Sequence, residues 1–523
     1  MKNLGNRRWW ALGALVLAVL AVGLDGTILS VALPTLATAL HASEADLQWF
    51  SSGYLLVLAA AMLPAGLLGD RYGRKKVLLV SLALFGAGSA ACAYAASAGA
   101  FIAARAVLGL AGAGIIVMAL SALTVLFTEQ ERPRAVGIWA AANFLALPLG
   151  PILGGWLLTH YWWGWVFLLN VPVALIGFGA TLALVPESRA PQRPGLDPVG
   201  IIASTSGLVV MTYGLIEAGQ NGWSDASALV PIIAGLVVLV GFFLWERWLS
   251  QRPEGQPLVD LALFRSASFT WGVLLAATAG LAMIGVLFTM PQFFQGVLRT
   301  DAMGSGVRLL PLIGGLVVGA VPADRVARVV GAKLTVALGF ALLASGMLLG
   351  ATTDSGSSPG FIAAWMALVG VGMGLTMATA ASAALSALPQ ERSGVGAAVM
   401  QAIQKVGAPF GAAILGSVLS SAYQAQLNLA GLPPVVANVV KQSFFGGIAV
   451  AMQLGSAPLL VSVRTAFVHG MDVSLVVAAG IAAAGFVLTL AFLPGRARSK
   501  SGGIKPGEES PARTVHADSA PSR

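Results

Sequence analysis

The chain has 523 residues, of which 57% are hydrophobic and only 10% charged. Soluble domains carry roughly 25% charged residues, so this chain cannot cover itself with polar surface, and a water-soluble globule is excluded. The net charge of +9 does not point to nucleic acid, because the basic residues sit in short loops between apolar stretches rather than on one face.

Apolar stretches of about 20 residues, each enough to cross a bilayer core of about 30 Å as a helix, recur along the whole chain. Lys2, Arg7 and Arg8 precede the first, 10–32. A basic start before an apolar run is similar to a secretory signal. This run is too long for one, lacks a small-residue cleavage site and is followed by Pro34, so it is expected to stay as the first membrane helix. Asp25 lies within it. A carboxylate in hydrocarbon costs at least about 2.5–3.5 kcal/mol, which is tolerable if it faces a wet cavity or takes up a proton. The competing reading is a packing residue hydrogen-bonded to Thr27 or a neighbour.

The second span, 47–69, runs into the loop "GDRYGRKK" and the third, 77–98. Gly66 and Gly73 are expected to allow close approach and a sharp turn there. The single cysteine, Cys92, lies in the third span as a packed thiol, and no Cys/His cluster suggests a metal. The fourth span, 101–126, holds Arg105, which keeps its proton and is a fixed cation if buried; a snorkelling arginine is the alternative. The fifth, 135–158, contains Asn143 and the cluster Gly150, Pro151, Gly154 and Gly155, where proline removes a helix hydrogen bond and the glycines admit a close neighbour. Trp162, Trp163 and Trp165 then mark a headgroup level, as do Trp9 and Trp10 at the start of the chain. The sixth span, 163–185, contains Asn170.

Spans 198–219 and 228–248 follow, the first with Glu217 near its far end. Span 268–292 offers Met283, Phe288 and Met290 as an adaptable apolar wall or as packing. Next come 303–322, 332–351, 359–385 and 396–420. The last of these carries Gln401, Gln404 and Lys405, with Gln401 and Lys405 on one face at i, i+4. Residues 444–463 are apolar but broken by Gln453, Gly455, Ser456 and Pro458, so 421–470 is expected to be a long outer loop, re-entrant or hairpin-like. Span 471–493 completes fourteen, and the polar end is expected to be disordered. With an even count, the loops holding Arg71, Arg74, Lys75, Lys76, Arg132, Arg134, Arg325, Arg328 and Lys333 share a side with both termini, which the positive-inside rule assigns to the cytoplasm.

The chain also repeats itself. "FIAAR" at 101 returns as "FIAAW" at 361, "EQERPRAVG" at 129 as "PQERSGVG" at 389, and "GDRYGRKK" at 69 as the worn "ADRVARVVGAK" at 323. Pro34 corresponds to Pro291. Spans 1–6 and 9–14 therefore read as two copies of a six-helix bundle, with spans 7 and 8 inserted, as in transporters whose substrate sits between parallel repeats. The expected units are 1–186, an inserted pair within 187–265, a second bundle over 266–495 and a cytoplasmic tail, 496–523.

Four stretches, "LDGTILSVALP" at 24–34, "GLLGDRYGRKK" at 66–76, "RAVLG" at 105–109 and "ALPLGPILGG" at 146–155, resemble the motifs of the major facilitator superfamily, and within it the 14-span drug:proton antiporters. Leu108 stands where that family often has a polar residue, and Ala146 where it has a glycine. The resemblance implies an all-α polytopic membrane protein with proton coupling at Asp25 and Arg105. It also implies a gating loop of Gly66, Asp70, Arg71, Gly73, Arg74 and Lys76 that latches the bundles, and an exporter-type fifth helix at Gly150, Pro151, Gly154 and Gly155. Thr27, Asn143, Asn170, Gln401, Gln404 and Lys405 are the substrate-cavity candidates; Lys405 favours neutral, zwitterionic or anionic amphiphiles over polycations. The implied activity is proton-driven efflux of hydrophobic drugs or antibiotics across the inner (cytoplasmic) membrane by a monomer. It uses no cofactor beyond the proton gradient and no nucleic acid. Export of one endogenous metabolite or lipid is the alternative, and symport is disfavoured by the fifth-helix motif. No metalloprotease, nucleophile-elbow or nucleotide-loop motif supports an enzyme.

Overall fold

The structure is a computed structural model describing residues 7–127, 131–189, 197–252, 255, 257–259, 261–387 and 393–494. The described residues form helices α1 (Arg7–Ala39), α2 (Glu44–Tyr72), α3 (Arg74–Ala93), α4 (Ala98–Leu126), α5 (Arg132–His160), α6 (Trp165–Leu168), α7 (Asn170–Leu184), α8 (Pro198–Asn221) and α9 (Ala226–Ser250). After a short 3₁₀ turn come α10 (Ala267–Gln292), α11 (Ala302–Arg308), α12 (Leu310–Ala320), α13 (Ala323–Val330), α14 (Ala332–Gly350), α15 (Pro359–Ser386), α16 (Ser393–Gln426), α17 (Pro434–Gln442), α18 (Phe444–Gln453) and α19 (Ala457–Phe492).

Thirteen of the described helical segments are long and apolar enough to cross a membrane, with α6–α7 and α11–α12 each forming one broken span. The 29-residue α5 stands at the expected fifth span. Short polar residues start these helices. Ser43 and Asp46 form a reciprocal capping box on α2, and Ser97, Asp301 and Ser358 cap α4, α11 and α15 through N–H groups three residues on. Gly73, at φ +120°, makes the sharp turn between α2 and α3.

One packing scheme occurs twice. In the first half α4 lies against α2 and α3, while α7 lies against α1 and α3, and α1 against α5. In the second, α15 lies against α12 and α14, α19 against α10 and α14, and α10 against α16. Small residues make these approaches possible. A Cβ on Gly109 of α4 would stand 2.5 Å from the Tyr54 carbonyl oxygen of α2, and in the second half one on Gly370 of α15 would stand 2.8 Å from Leu316 N of α12. The inserted α8 and α9 pack on each other, and α8 lies across both α2 and α16. Val230, Ile233, Val237 and Leu244 of α9 are more than half exposed, as suits a lipid-facing helix.

The halves meet along α5 with α11 and α2 with α16. The named contacts there lie away from the basic loops: Gly155 against Ala302 and Met303, Ser52 Oγ donating to the Pro409 carbonyl at 3.3 Å, and Gln295 Nε2 donating to the Val31 carbonyl at 3.0 Å. On this face the expected loop 421–470 proves largely helical. α16 continues to Gln426 and α19 begins at Ala457, leaving α17 and α18 as a helical hairpin that covers the seam. Ser456 caps α19, and Pro458 sits in its first turn, where a missing N–H costs no helix bond, so the residues that seemed to break the pattern instead start the last helix. At ten residues α18 is too short to span. The expected tail lies outside the described residues, apart from its approach through 494.

Candidate functional site

The site forms where α1, α2, α4 and α7 converge. Asp25 on α1 is 2% exposed and Arg105 on α4 is fully buried. Arg105 Nη1 donates to Asp25 Oδ2 in a salt bridge shielded from solvent. Arg105 Nε donates to the Phe50 carbonyl at 3.2 Å, and its guanidinium carbon lies 4.1 Å from the centroid of the Tyr54 ring. A cation over an aromatic face out of water is worth up to about 2 kcal/mol. The Tyr54 hydroxyl donates to the Val22 carbonyl at 3.1 Å, which fixes that ring. Asn170 Nδ2 donates to the second Asp25 oxygen, Oδ1, at 3.3 Å. Each charge is therefore held by an opposite charge and by dipoles, the condition under which a buried ion pair survives desolvation.

A cavity of about 30 Å³ opens beside Arg105, enough for one water molecule. Gly26, Ser30, Ser51 and Arg105 form its wall on the first half, and Ile284, Leu287 and Phe288 of α10 its wall on the second. The ion pair thus reaches the junction between the halves.

The repeated pentapeptide now has a structural sense. Trp365 of α15, at the place of Arg105, is 1% exposed and lies against Gly350. The Pro34–Pro291 spacing puts Ala282 opposite Asp25, also buried. Where the first half has an acid and a base, the second has a small and a large apolar residue, a swap that conserves fill while removing charge. Leu108, at the family's polar position, packs against Gly88.

The remaining candidates are spread over three other places. In the basic loop, Arg74 Nε donates to Asp70 Oδ1 at 2.9 Å, and the Arg74 backbone N–H donates to the Ser188 carbonyl at 2.9 Å. Glu187 accepts from Lys75 N at 3.2 Å and sits 2.5 Å from where a Gly73 Cβ would stand. The contacts with Glu187 and Ser188 join the loop to the start of the segment that leads to α8. The close approach in this loop is made at Gly69, whose Cβ would overlap the Met118 side chain; a Cβ at Gly66 would meet Val117 at an ordinary 3.6 Å. Arg71 lies over the Tyr72 ring at 5.8 Å, and Lys76 is exposed.

On α5, Gly150 receives Thr27 and Gly154 receives Ile28, both from α1. Gly155 faces α11, with its would-be Cβ 2.7 Å from the Ala302 carbonyl oxygen, and the Pro151 carbonyl lies against Gly306. This stretch therefore joins α1 on one side to the second half on the other. Thr27, a cavity candidate by sequence, donates to the Ala146 carbonyl at 3.0 Å and is a helix-packing contact. Asn170, another, belongs to Asp25. Gln401 and Gln404 are half-buried on α16, while the side chains of Asn143 and Lys405 lie outside those described. Glu217 accepts from Asn221 at 2.8 Å on the face away from the basic loops.

Other buried acids escaped the sequence reading. Glu246 of α9 accepts from Val259 N at 3.0 Å, and Asp197 accepts from Trp245 Nε1 at 3.1 Å; with the half-buried Asp472 of α19, they stand in or beside apolar runs and were legible by the rule that found Asp25. Glu44 was not: it reads as a first-turn acid, yet it is 1% exposed.

Residues 15–412 match the family model described as Major Facilitator Superfamily. The chain is 33% identical over 494 residues to the tetracenomycin C resistance and export protein of Streptomyces glaucescens, spanning 92% of this chain and 90% of that protein. It is also 33% identical over 498 residues to the multidrug efflux pump LfrA of Mycolicibacterium smegmatis, spanning 93% and 97%. Among solved structures, a bacterial homolog of the human lysosomal transporter Spinster superposes with a TM-score of 0.67 at 16% identity, over 94% of this chain and 98% of that one.

Proposed function

Because the chain belongs to the major facilitator superfamily, we propose that this multi-pass membrane protein, a transporter and not an enzyme, exports hydrophobic drugs or antibiotics in exchange for protons. The observation that carries the proton coupling is the buried Asp25–Arg105 pair at the edge of the junction between the halves. A proton and Arg105 compete for the same Asp25 oxygen. Protonation releases the guanidinium from its ion pair while Phe50 and Tyr54 continue to hold it, so a charge appears beside the cavity without Arg105 moving far. The deprotonated site restores the pair. Such an exchange links proton occupancy to what the cavity can hold.

The efflux direction rests on the relatives, several of which are named for drug or antibiotic resistance or export, and on α5. Its glycines close the face away from the basic loops against α11. With those basic loops in the cytoplasm, both termini are cytoplasmic, the described state is shut toward the outside, and a monomer contains the whole pathway. A second reading, export of one dedicated product, is favoured by the relatives named for single compounds, tetracenomycin C and puromycin.

The test is pH-gradient-driven dye transport in proteoliposomes, native against Asp25→Asn. Substrate-dependent proton flux in the native protein and its loss in the variant are expected. Flux that survives the substitution overturns Asp25 as the coupling site. Competition among dyes, drugs and single metabolites separates the two substrate readings.

A further inference from the structure

Glu44 opens α2 on the face away from the basic loops, beneath the α17–α18 hairpin. It is 1% exposed, and among the described residues neither carboxyl oxygen has a hydrogen-bond partner. The backbone of Phe444, first residue of α18, approaches it without completing a hydrogen bond. One turn along the same face, Gln48 is fully buried, its Nε2 also unpartnered, while its Oε1 accepts from Ser417 of α16 at 3.3 Å. The seam between the halves therefore holds an unpaired acid on the same helix face as an amide whose nitrogen is unpartnered.

The groups around Glu44 do not neutralise it. Tyr423 of α16 commits its hydroxyl to the Val440 carbonyl at 2.8 Å. Asp46, on its own helix, is engaged with Ser43. Glu217 of α8 and Lys441 of α17 are on the rim of a neighbouring polar cleft of about 480 Å³, which Ser43 and Ala45 line on either side of Glu44 in sequence. Lys441 makes no ion pair with Glu44. The N-termini of α2 and α18 both favour an anion here, but helix ends alone offset less than the cost of stripping water from a carboxylate that has no hydrogen-bond partner.

We infer that Glu44 is a second proton-binding site, which takes up a proton when the outer seam closes over it and releases that proton through the polar cleft when the seam opens. The inference rests on the proposed outer placement of this face. Closing strips water from an acid left without a hydrogen-bond partner, which disfavours its charge, so proton uptake and closure are linked. The closed form binds more protons, so it dominates at low external pH and is lost as pH rises. One proton changes the closed-to-open ratio by up to tenfold per pH unit. Because this proton enters and leaves on one side, it sets the outer gate without altering how many protons cross per substrate.

Two measurements test this apart from transport. Infrared spectra of the Asp25→Asn protein in lipid are expected to contain the carbonyl band of a neutral carboxylic acid that weakens when Glu44→Gln is added; a spectrum unchanged by the second substitution overturns the inference. Spin labels at 161 and 435, in a Cys92→Ala background, report the outer opening. The distance in native protein and in Asp25→Asn is expected to lengthen with rising pH, and in Glu44→Gln to stay short throughout. A Glu44→Gln profile that follows the native one, or a native distance that ignores pH, overturns it. Glu44→Asp, which keeps a titratable group, is expected to restore a pH response and guards against a folding defect in the glutamine variant. Failure of Asp25→Asn to lose coupled flux leaves these readouts unaffected and bears only on the proton site beside Arg105.

Discussion

Replacing Arg105 by methionine, which keeps the stem and removes the charge, leaves the Asp25 carboxylate buried with Asn170 as its remaining described donor. It also removes the donor to Phe50 O and the cation over Tyr54. Breaking one side of a buried pair costs about 3–5 kcal/mol, whereas replacing both members by apolar residues is often neutral or stabilising by about 1–4 kcal/mol. The second half supplies the precedent, since Ala282 and Trp365 fill the equivalent space without charge. We therefore expect Arg105→Met to destabilise by about 3–5 kcal/mol, and Arg105→Met combined with Asp25→Leu to recover most of that loss. Cys92, the only cysteine and buried, is the reporter: its labelling by a thiol-reactive dye during titration with a denaturing detergent follows unfolding of the first half. If the double variant is less stable than Arg105→Met, with the single losses simply adding, Asp25 and Arg105 do not stabilise each other and the argument fails.

Gly155→Leu drives a side chain into the backbone of α11, so the seam between α5 and α11 should stay open and transport should stop with membrane insertion intact, read as raised accessibility of a cysteine placed at 303. Trp365→Ala empties a buried site and should lower stability by about 3–5 kcal/mol; proton coupling per substrate should not change, because no charge is lost. Asp70→Asn removes a half-exposed i, i+4 partner of Arg74, worth less than about 1 kcal/mol, so stability should hold within that margin while turnover falls if the loop governs exchange between states; unchanged turnover removes Asp70 from the gating set. Gly73→Ala, at φ +120° and against Glu187, should cost about 1–2 kcal/mol or more through backbone strain, measured by the same Cys92 titration.

The sequence alone determined where the long apolar helices lie, the two-fold repeat, the face that carries the basic loops, and that Asp25 and Arg105 stand within helices long and apolar enough to cross a membrane. Each follows from a one-dimensional signal: a run long enough to cross a bilayer, an offset that recurs, a charge that lipid does not tolerate. Only the tertiary structure decided what those residues touch. It joined Asp25 to Arg105 across 80 residues, gave Asn170 to Asp25 and Thr27 to α5, moved the close approach from Gly66 to Gly69, and folded α17 and α18 over Glu44. The reason is physical. A helix in water betrays its buried face because its other face must be polar, but lipid and protein interior are equally apolar, so these helices are hydrophobic all round and their sequences do not say which side meets a neighbour. Partners are then chosen by shape, by where a glycine lets a backbone approach, and by which buried polar groups find one another, and each of those is settled only when the helices pack.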